Sequence, residues 1–194
     1  MGLLNRYAET LSELGSFVLP EPLKGMRVGL YNTTLAQELA LPEPLMQSQS
    51  LLDWLHSPVT PLTQRAFAQK YGGHQFGQWN PELGDGRGLL LAEVIDSNAQ
   101  PQDLHLKGAG PTPYSRHADG RAVLRSTLRE YIGAEALHYL GIPSSRSLCL
   151  FTSADTIYRE RAETGAMMIR TAPSHIRFGH FEYYFYASQK DKLQ

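Results

Sequence analysis

The chain has 194 residues, of which 42% are hydrophobic and 10% are aromatic, and its net charge at pH 7 is −1. This apolar content can bury a core, which excludes a disordered chain, and the length allows one domain. The near-neutral charge excludes a bulk polyanion binder, and no stretch approaches the ~18 apolar residues of a membrane span. We therefore expect neither a nucleic acid nor a membrane as partner.

The first 70 residues predict little regular structure. Short helical stretches are predicted between Tyr7 and Phe17 and between Thr34 and Leu39. The segment 41–62 contains several prolines and shows no sustained apolar period. We expect residues 1–70 to form an irregular, helical leader that packs on residues 71–194.

Regular elements are predicted after a glycine-rich segment that begins at Tyr71. The run from Leu89 to Ile95 is apolar, and Leu104 to Lys107 alternates apolar and polar residues like a half-buried strand. Residues 121–140 carry apolar side chains at helical spacing on a main stripe and near the opposite side, so we expect a long helix buried on more than one face. The main stripe consists of Leu124, Leu128, Ile132 and Tyr139.

Three short strands are predicted after this helix, at 147–152, 156–159 and 166–171. The tetrapeptides SADT and AETG are predicted to form the turns between them, and Pro173 and Ser174 the entry to a final helix. The order of elements predicts an α+β fold with an antiparallel sheet.

The basic residues are concentrated in the second half. Residues 1–100 hold 6 Lys and Arg against 10 Asp and Glu, whereas residues 101–194 hold 12 against 9. Ten arginines lie between Arg87 and Arg177. The guanidinium group presents a flat fork of donors that fits two oxygens of a phosphate or carboxylate, although surface arginines are the ordinary explanation.

The segment GDGRG contains the first candidate anion site, formed by Gly84, Gly86 and Arg87. Alternating glycines allow a close approach of the backbone to a ligand, and successive N–H groups can hold an anion. The alternative is a tight hairpin turn, because Asp-Gly favours turns.

Lys107 is the second candidate, because it shares a strand face with His105 and a buried ammonium needs a partner. The long helix offers Glu130 and Glu135 as partners, and periodicity does not choose between them. An exposed Lys107 and two solvated glutamates are the structural alternative.

Arg170 is predicted to end a strand, and Arg177 is predicted to lie in the first turns of the final helix. Two guanidinium groups beside the positive end of a helix would suit a polyphosphate, whereas two surface arginines are the alternative. Asp119 and Gly120 give a weaker signal, which a turn and helix cap would equally explain.

Other chemistries find little support in the sequence. The histidines show no zinc-ligand spacing, and there is no GxSxG nucleophile motif. Cys149 lies between two leucines and is expected to be a core thiol. A single cysteine excludes an internal disulfide and favours a reducing compartment, so a cytoplasmic protein is expected.

The order glycine-rich turn, strand, strand ending in lysine, helix with glutamate is that of a protein-kinase N-lobe. The residues of these motifs differ from those of ordinary kinases and closely resemble the selenoprotein O family of protein adenylyltransferases, also called YdiU-like. The resemblance is carried by the strings YGGHQFGQWNPELGDGRG, LHLKGAGPTPYSRHADGRAVLRSTLREYIGAEALHYLGIP and MMIRTAPSHIRFGHFE.

The resemblance implies an atypical pseudokinase that holds ATP in a flipped orientation and transfers AMP to Ser, Thr or Tyr hydroxyls of proteins. It implies an ion pair between Lys107 and Glu130, rather than Glu135. The positions that match the family's nucleotide-binding residues are Gly84, Gly86, Arg87, Lys107, Asp119, Gly120, Arg170 and Arg177.

The same resemblance implies a C-terminal lobe that the 194 residues do not contain. The family's catalytic-base Asp and its metal-binding Asn and Asp, which hold Mg²⁺ or Mn²⁺, have no matching motif here, so they are expected beyond residue 194. We therefore expect no catalytic or metal-binding residue in this chain and little or no activity from it alone. The alternatives are a true kinase that transfers the γ-phosphate and a nucleotide-binding fragment without chemistry.

Overall fold

The computed structural model describes residues 2–193, so Met1 and Gln194 lie outside the described residues. The helices within this range are α1 (Arg6–Thr10), α2 (Thr33–Glu38), α3 (Ser48–His56), α4 (Leu124–Tyr139) and α5 (Phe178–Tyr186). The strands are β1 (Gly15–Phe17), β2 (Arg27–Tyr31), β3 (Phe67–Gln69), β4 (Gly73–Gln75), β5 (Gln78–Asn80), β6 (Gly88–Ile95), β7 (Pro101–Lys107), β8 (Ala122–Val123), β9 (Arg146–Tyr158) and β10 (Ala162–Ala172). Short 3₁₀ turns lie at Ser12–Leu14, Glu43–Met46 and Lys190–Leu193.

One antiparallel sheet forms the body of the molecule. Its strand order is β1-β3-β6-β7-β10-β9-β2, with β8 also paired to β10, while β4 and β5 form a separate hairpin. The predicted α+β class with an antiparallel sheet is confirmed. The leader, however, contributes β1, β2 and β3 to the sheet, and the sequence had predicted no strand there.

The two faces of the sheet have different chemistry. Leu106 pairs with Ile169 across β7 and β10, and both side chains join a buried apolar cluster with Leu35 and Leu51 of α2 and α3. The next pair along the strands, His105 and Arg170, points to the opposite face because side chains alternate along a strand. One face therefore buries the core, and the other presents polar groups next to α4.

Helix α3 lies in the segment for which no regular structure was predicted. Its Leu51, Leu52 and Leu55 are buried in the apolar cluster, at the spacing of one helix face. A helix of nine residues offers few periods to detect, and the surrounding prolines lie outside it. The absence of a sustained apolar period over 41–62 therefore hid a short helix, which agrees with the helical leader expected for residues 1–70.

The predicted turns after α4 are also corrected. The tetrapeptide SADT lies inside the continuous strand β9, and AETG begins β10. The chain reverses at residues 159–161, where the Arg159 N–H donates to the Arg161 carbonyl at 3.0 Å. A register shift between Thr164 and Ala166 lets this long hairpin bend without a turn.

Helix α4 is covered on one side only. Thr127 is its buried residue, whereas Ile132 is 58% and Tyr139 is 74% exposed. Its main packing partners are β9 and β10, and Leu128, Ile132 and Tyr139 of the predicted apolar stripe are exposed. The prediction that this helix is buried on more than one face was wrong.

Helix α5 begins later than predicted. Residues 173–176 form an irregular loop, and Arg177 precedes the first helical residue, Phe178. The Arg177 N–H donates to Nδ1 of His180 at 2.9 Å, which satisfies a donor at the helix start. Arg177 is therefore the residue that caps α5, instead of lying in its first turns.

Candidate functional site

A cavity of about 740 Å³ opens on the polar face of the sheet, between the loop before β6 and the loop of residues 112–121. Its lining carries more cationic than acidic side chains. The cationic residues are Arg87, Lys107, Arg116, Arg121, Arg159, Arg170 and Arg177, and the acidic ones are Asp85 and Asp119. All eight residues predicted to bind nucleotide line this cavity. Its charge suits a polyanionic ligand.

The glycine-rich segment forms one wall of the cavity. Gly84 has a φ of +50°, and a Cβ there would lie 2.5 Å from the Tyr114 ring, so only glycine fits. The loop is fixed from behind, because Thr112 donates its hydroxyl to the Asp85 carbonyl at 2.7 Å. It leads directly into β6 as a loop that lines a cavity, instead of forming the alternative hairpin turn. Arg87 is exposed there and makes no ion pair within residues 2–193.

Lys107 contacts the carboxylate of Glu130, and Arg170 Nη1 lies 2.9 Å from the other oxygen of the same group. Burial, together with the positive charges of Arg87 and Arg170, lowers the pKa of Lys107 to about 8. Glu130 therefore connects α4 to β7 and β10 and keeps two cations at the cavity.

Glu135, the alternative partner, lies elsewhere on α4. Its carboxylate accepts hydrogen bonds from Arg146 Nη2 at 2.9 Å, from the Ser147 N–H at 2.8 Å and from Asn32 Nδ2 at 2.9 Å. These contacts join α4 to the start of β9 and to the leader. Glu130 is therefore the glutamate paired with two cations that line the cavity, and Glu135 is a structural ion-pair residue.

Arg170 and Arg177 present polar atoms that no protein group satisfies. The Nε atom of each is buried and has no hydrogen-bond partner within residues 2–193. The Arg177 guanidinium lies 5.0 Å from the centre of the Tyr71 ring and 3.7 Å from Asp85. Buried donors are normally satisfied, so an oxygen-rich ligand fits these two atoms.

Asp119 and Gly120 lie on the opposite rim of the cavity. Asp119 accepts hydrogen bonds from both terminal nitrogens of Arg159, at 2.7 and 2.8 Å, and from the Arg121 N–H at 2.9 Å. Gly120 has a φ of +66°, and a Cβ there would collide with the Gly110 carbonyl. The alternative explanation of these two residues as a helix cap does not hold, because β8 separates them from α4.

Several groups at the cavity were not predicted. Asp85 is 4% exposed and accepts hydrogen bonds from the Gln69 N–H and the Tyr71 hydroxyl, both at 3.2 Å. His105 is buried beside it. The position of His105 on the Lys107 face was visible in the strand pattern, but an aspartate between glycines looks like an ordinary turn residue.

The other features considered in the sequence are Cys149, metal ligands and membrane spans. Cys149 is buried in the apolar cluster, which confirms the predicted core thiol. Among residues 2–193, no three His, Cys, Asp or Glu side chains lie close enough together to hold a metal ion. No helix in the same range is both long enough and apolar enough to cross a membrane.

Comparison with known proteins assigns the family. The family model described as "Protein adenylyltransferase SelO" matches residues 5–194. The chain belongs to this family. It is 54% identical over all of its 194 residues to "Protein nucleotidyltransferase YdiU" of Pseudoalteromonas atlantica, and 49% identical over the same length to the protein of that name from Aliivibrio fischeri.

A protein of the same name from Yersinia pseudotuberculosis is 50% identical over 190 residues, which is 98% of this chain. These relatives are named as protein nucleotidyltransferases, so the chain is a member of a nucleotidyltransferase family. The chain spans 39–40% of the length of these curated relatives. The resemblance inferred from the sequence strings is confirmed.

Proposed function

We propose that this chain is the ATP-binding, kinase-like N-lobe of a protein adenylyltransferase, which transfers AMP to Ser, Thr or Tyr hydroxyls of proteins. The observation that carries the proposal is the cluster of Lys107, Arg170 and Arg177 around one cavity beside a glycine-rich loop. Glu130 pairs with the first two of these cations. The sheet with one helix whose glutamate reaches a strand lysine supports the comparison with a kinase N-lobe. A cytoplasmic location, where ATP is present, is part of the proposal.

ATP fits the donors that the cavity offers. Arg87, Lys107, Arg170 and Arg177 would neutralise the triphosphate, and the two partnerless Nε atoms would donate to phosphate oxygens. Glu130 would hold Lys107 in place, and Asp119 and Gly120 would contact the nucleotide from the opposite rim. Catalysis of such transfers depends mainly on positioning and charge stabilisation, which these residues supply.

The chemical step requires further groups. The acceptor oxygen bonds to the α-phosphorus, the bond from that phosphorus to the bridging oxygen breaks, and pyrophosphate leaves while a base takes the hydroxyl proton. We assign the base Asp and the Asn and Asp ligands of Mg²⁺ or Mn²⁺ to the part of the curated relatives that this chain does not cover. The metal, when bound, supplies additional charge neutralisation.

ATP titration tests the proposed site. Lys107→Ala and Arg177→Ala should each weaken ATP binding by about 10- to 100-fold, because each removes a charge-assisted contact worth ~1.5–3 kcal/mol. Isothermal titration calorimetry on the wild-type chain and its variants measures this.

The matched control is Arg125→Ala, because Arg125 pairs with Glu163 on the surface and does not line the cavity. It should leave ATP affinity unchanged. If neither cavity variant weakens binding, or if Arg125→Ala weakens it as much, the site is misplaced. If the wild-type chain binds no ATP, the proposed function itself fails.

A further inference from the structure

A buried carboxylate lies directly beneath the cationic side of the cavity. The side chain of Asp85 is 2% exposed, and Arg177 Nη2, the Tyr71 hydroxyl, the Gln69 N–H and His105 Nε2 surround it. Burial alone would raise the pKa of Asp85, but its neighbours outweigh this effect and hold the pKa below its ordinary value. Asp85 is therefore an anion enclosed by donors.

His105 connects this carboxylate to Arg170. Its Nε2 lies 3.4 Å from Asp85 Oδ2, and its Nδ1 lies 3.4 Å from Arg170 Nη2. A guanidinium only donates, so Nδ1 is the acceptor and the proton resides on Nε2, from which it is donated to Asp85. Burial lowers the pKa of His105 to about 4, which keeps the ring neutral at pH 7 despite the adjacent carboxylate.

A second imidazole extends the arrangement toward Arg177. The His175 ring stacks on His105 with centroids 4.6 Å apart and planes 15° apart. Asp103 accepts the His175 N–H at 2.7 Å and lies 3.4 Å from its Nδ1. The loop that carries the chain from β10 to Arg177 is thus fixed to strand β7.

We propose that Asp85 and His105 are positioning residues that hold Arg170 and Arg177 in the geometry that receives the phosphates of the nucleotide. The inference rests on the proposed function and extends it to two residues that do not need to touch the ligand. The guanidinium groups of Arg170 and Arg177 repel each other, and the negative charge of the buried Asp85 offsets this repulsion. His105 transmits the constraint to Arg170 because its ring is fixed on both nitrogens.

The test compares two nucleotides, because a positioning role predicts a loss that depends on the number of phosphates. Kd values for ATP and AMP are measured by calorimetry for the wild-type chain, Asp85→Asn and His105→Phe. In both variants, the ratio of ATP affinity to AMP affinity should fall at least tenfold. A merely structural defect would weaken both nucleotides together and leave this ratio unchanged.

The matched control is Glu135→Gln, which weakens a partly buried ion pair with Arg146 outside the cavity. It should lower the thermal midpoint without changing the ATP-to-AMP ratio. If Asp85→Asn gives no cooperative thermal transition, His105→Phe decides.

The proposal is overturned if a folded variant keeps the wild-type ratio, if Asp85→Asn binds ATP more tightly through the loss of negative charge, or if both variants fail to fold. The ATP affinity of the wild-type chain distinguishes failure of the positioning role from failure of the proposed function. A wild-type chain that binds ATP keeps the proposed site even where the positioning role is lost.

Discussion

At the scale of single residues, two carboxylates pair with the cationic side chains that line the cavity. Glu130 contacts both Lys107 and Arg170, while Asp85 lies beside Arg177 and reaches Arg170 through His105. Each carboxylate orders its neighbours without matching the full positive charge, because Arg87 remains without an ion-pair partner within residues 2–193. A ligand with several negative charges would complete the balance.

The lowered pKa of Lys107 gives this site a pH dependence. The ammonium attracts phosphate and the neutral amine does not, so ATP affinity should fall as pH rises through about 8. The loss between pH 7 and pH 9 should be about tenfold, because one proton is bound with the ligand. Phosphate groups are already ionised in this range, since their second pKa is about 6.

Calorimetric Kd values at pH 7, 8 and 9 measure this effect. Lys107→Arg is the control, because a guanidinium stays charged over the whole range and should give a flat profile. A wild-type profile that is equally flat would contradict the prediction and would place the pKa of Lys107 well above 9.

At the scale of elements, the sequence predicted the helices and strands that a continuous run of residues specifies. Strand β6, helix α4 and the glycine-rich loop follow from continuous runs with a clear period or composition, and the alternating run from Leu104 to Lys107 predicted the second part of β7. Strands β1 and β3 have three residues each, and their pairing partners lie far along the chain. No local pattern specifies such pairings, so they were missed.

The prediction that α4 is buried on more than one face failed for a different reason. Apolar spacing predicts which residues share a helix face, but not whether another element covers that face. Glu130 and Glu135 show the same limit: the family resemblance selected Glu130 for Lys107, and periodicity alone left both open. The division of the chain at residue 70 stays a prediction.

The two glutamates of α4 should therefore separate stability from binding. Glu135→Gln weakens contacts with Arg146 and Ser147, whose loss should lower the free energy of unfolding by about 2 kcal/mol. Glu130→Gln should instead weaken ATP binding, because Lys107 and Arg170 lose their shared anchor. Urea unfolding and calorimetry on both variants measure the two effects, and the reverse pattern would contradict the assignment.

At the scale of the whole molecule, apolar side chains remain on the surface around α4 and α5. Phe178 is 90%, Tyr139 74% and Leu140 73% exposed. Where such side chains form a contiguous patch, they mark a surface that contacts other protein. The cavity, by contrast, is lined by all eight residues predicted to bind nucleotide.

This chain should therefore bind nucleotide without transferring it efficiently. We expect the 194-residue chain to bind ATP but to incorporate little or no AMP into a protein acceptor, because the base and the metal ligands are assigned to the uncovered part of the relatives. The assay uses ATP labelled at the α- or the γ-phosphate, Mg²⁺ or Mn²⁺, and a generic protein with exposed hydroxyls. The Pseudoalteromonas atlantica relative serves as the positive control. Its transfer of the α label alone would support adenylylation, transfer of the γ label would indicate a kinase, and strong α-label incorporation by the 194-residue chain would contradict the assignment of the catalytic groups.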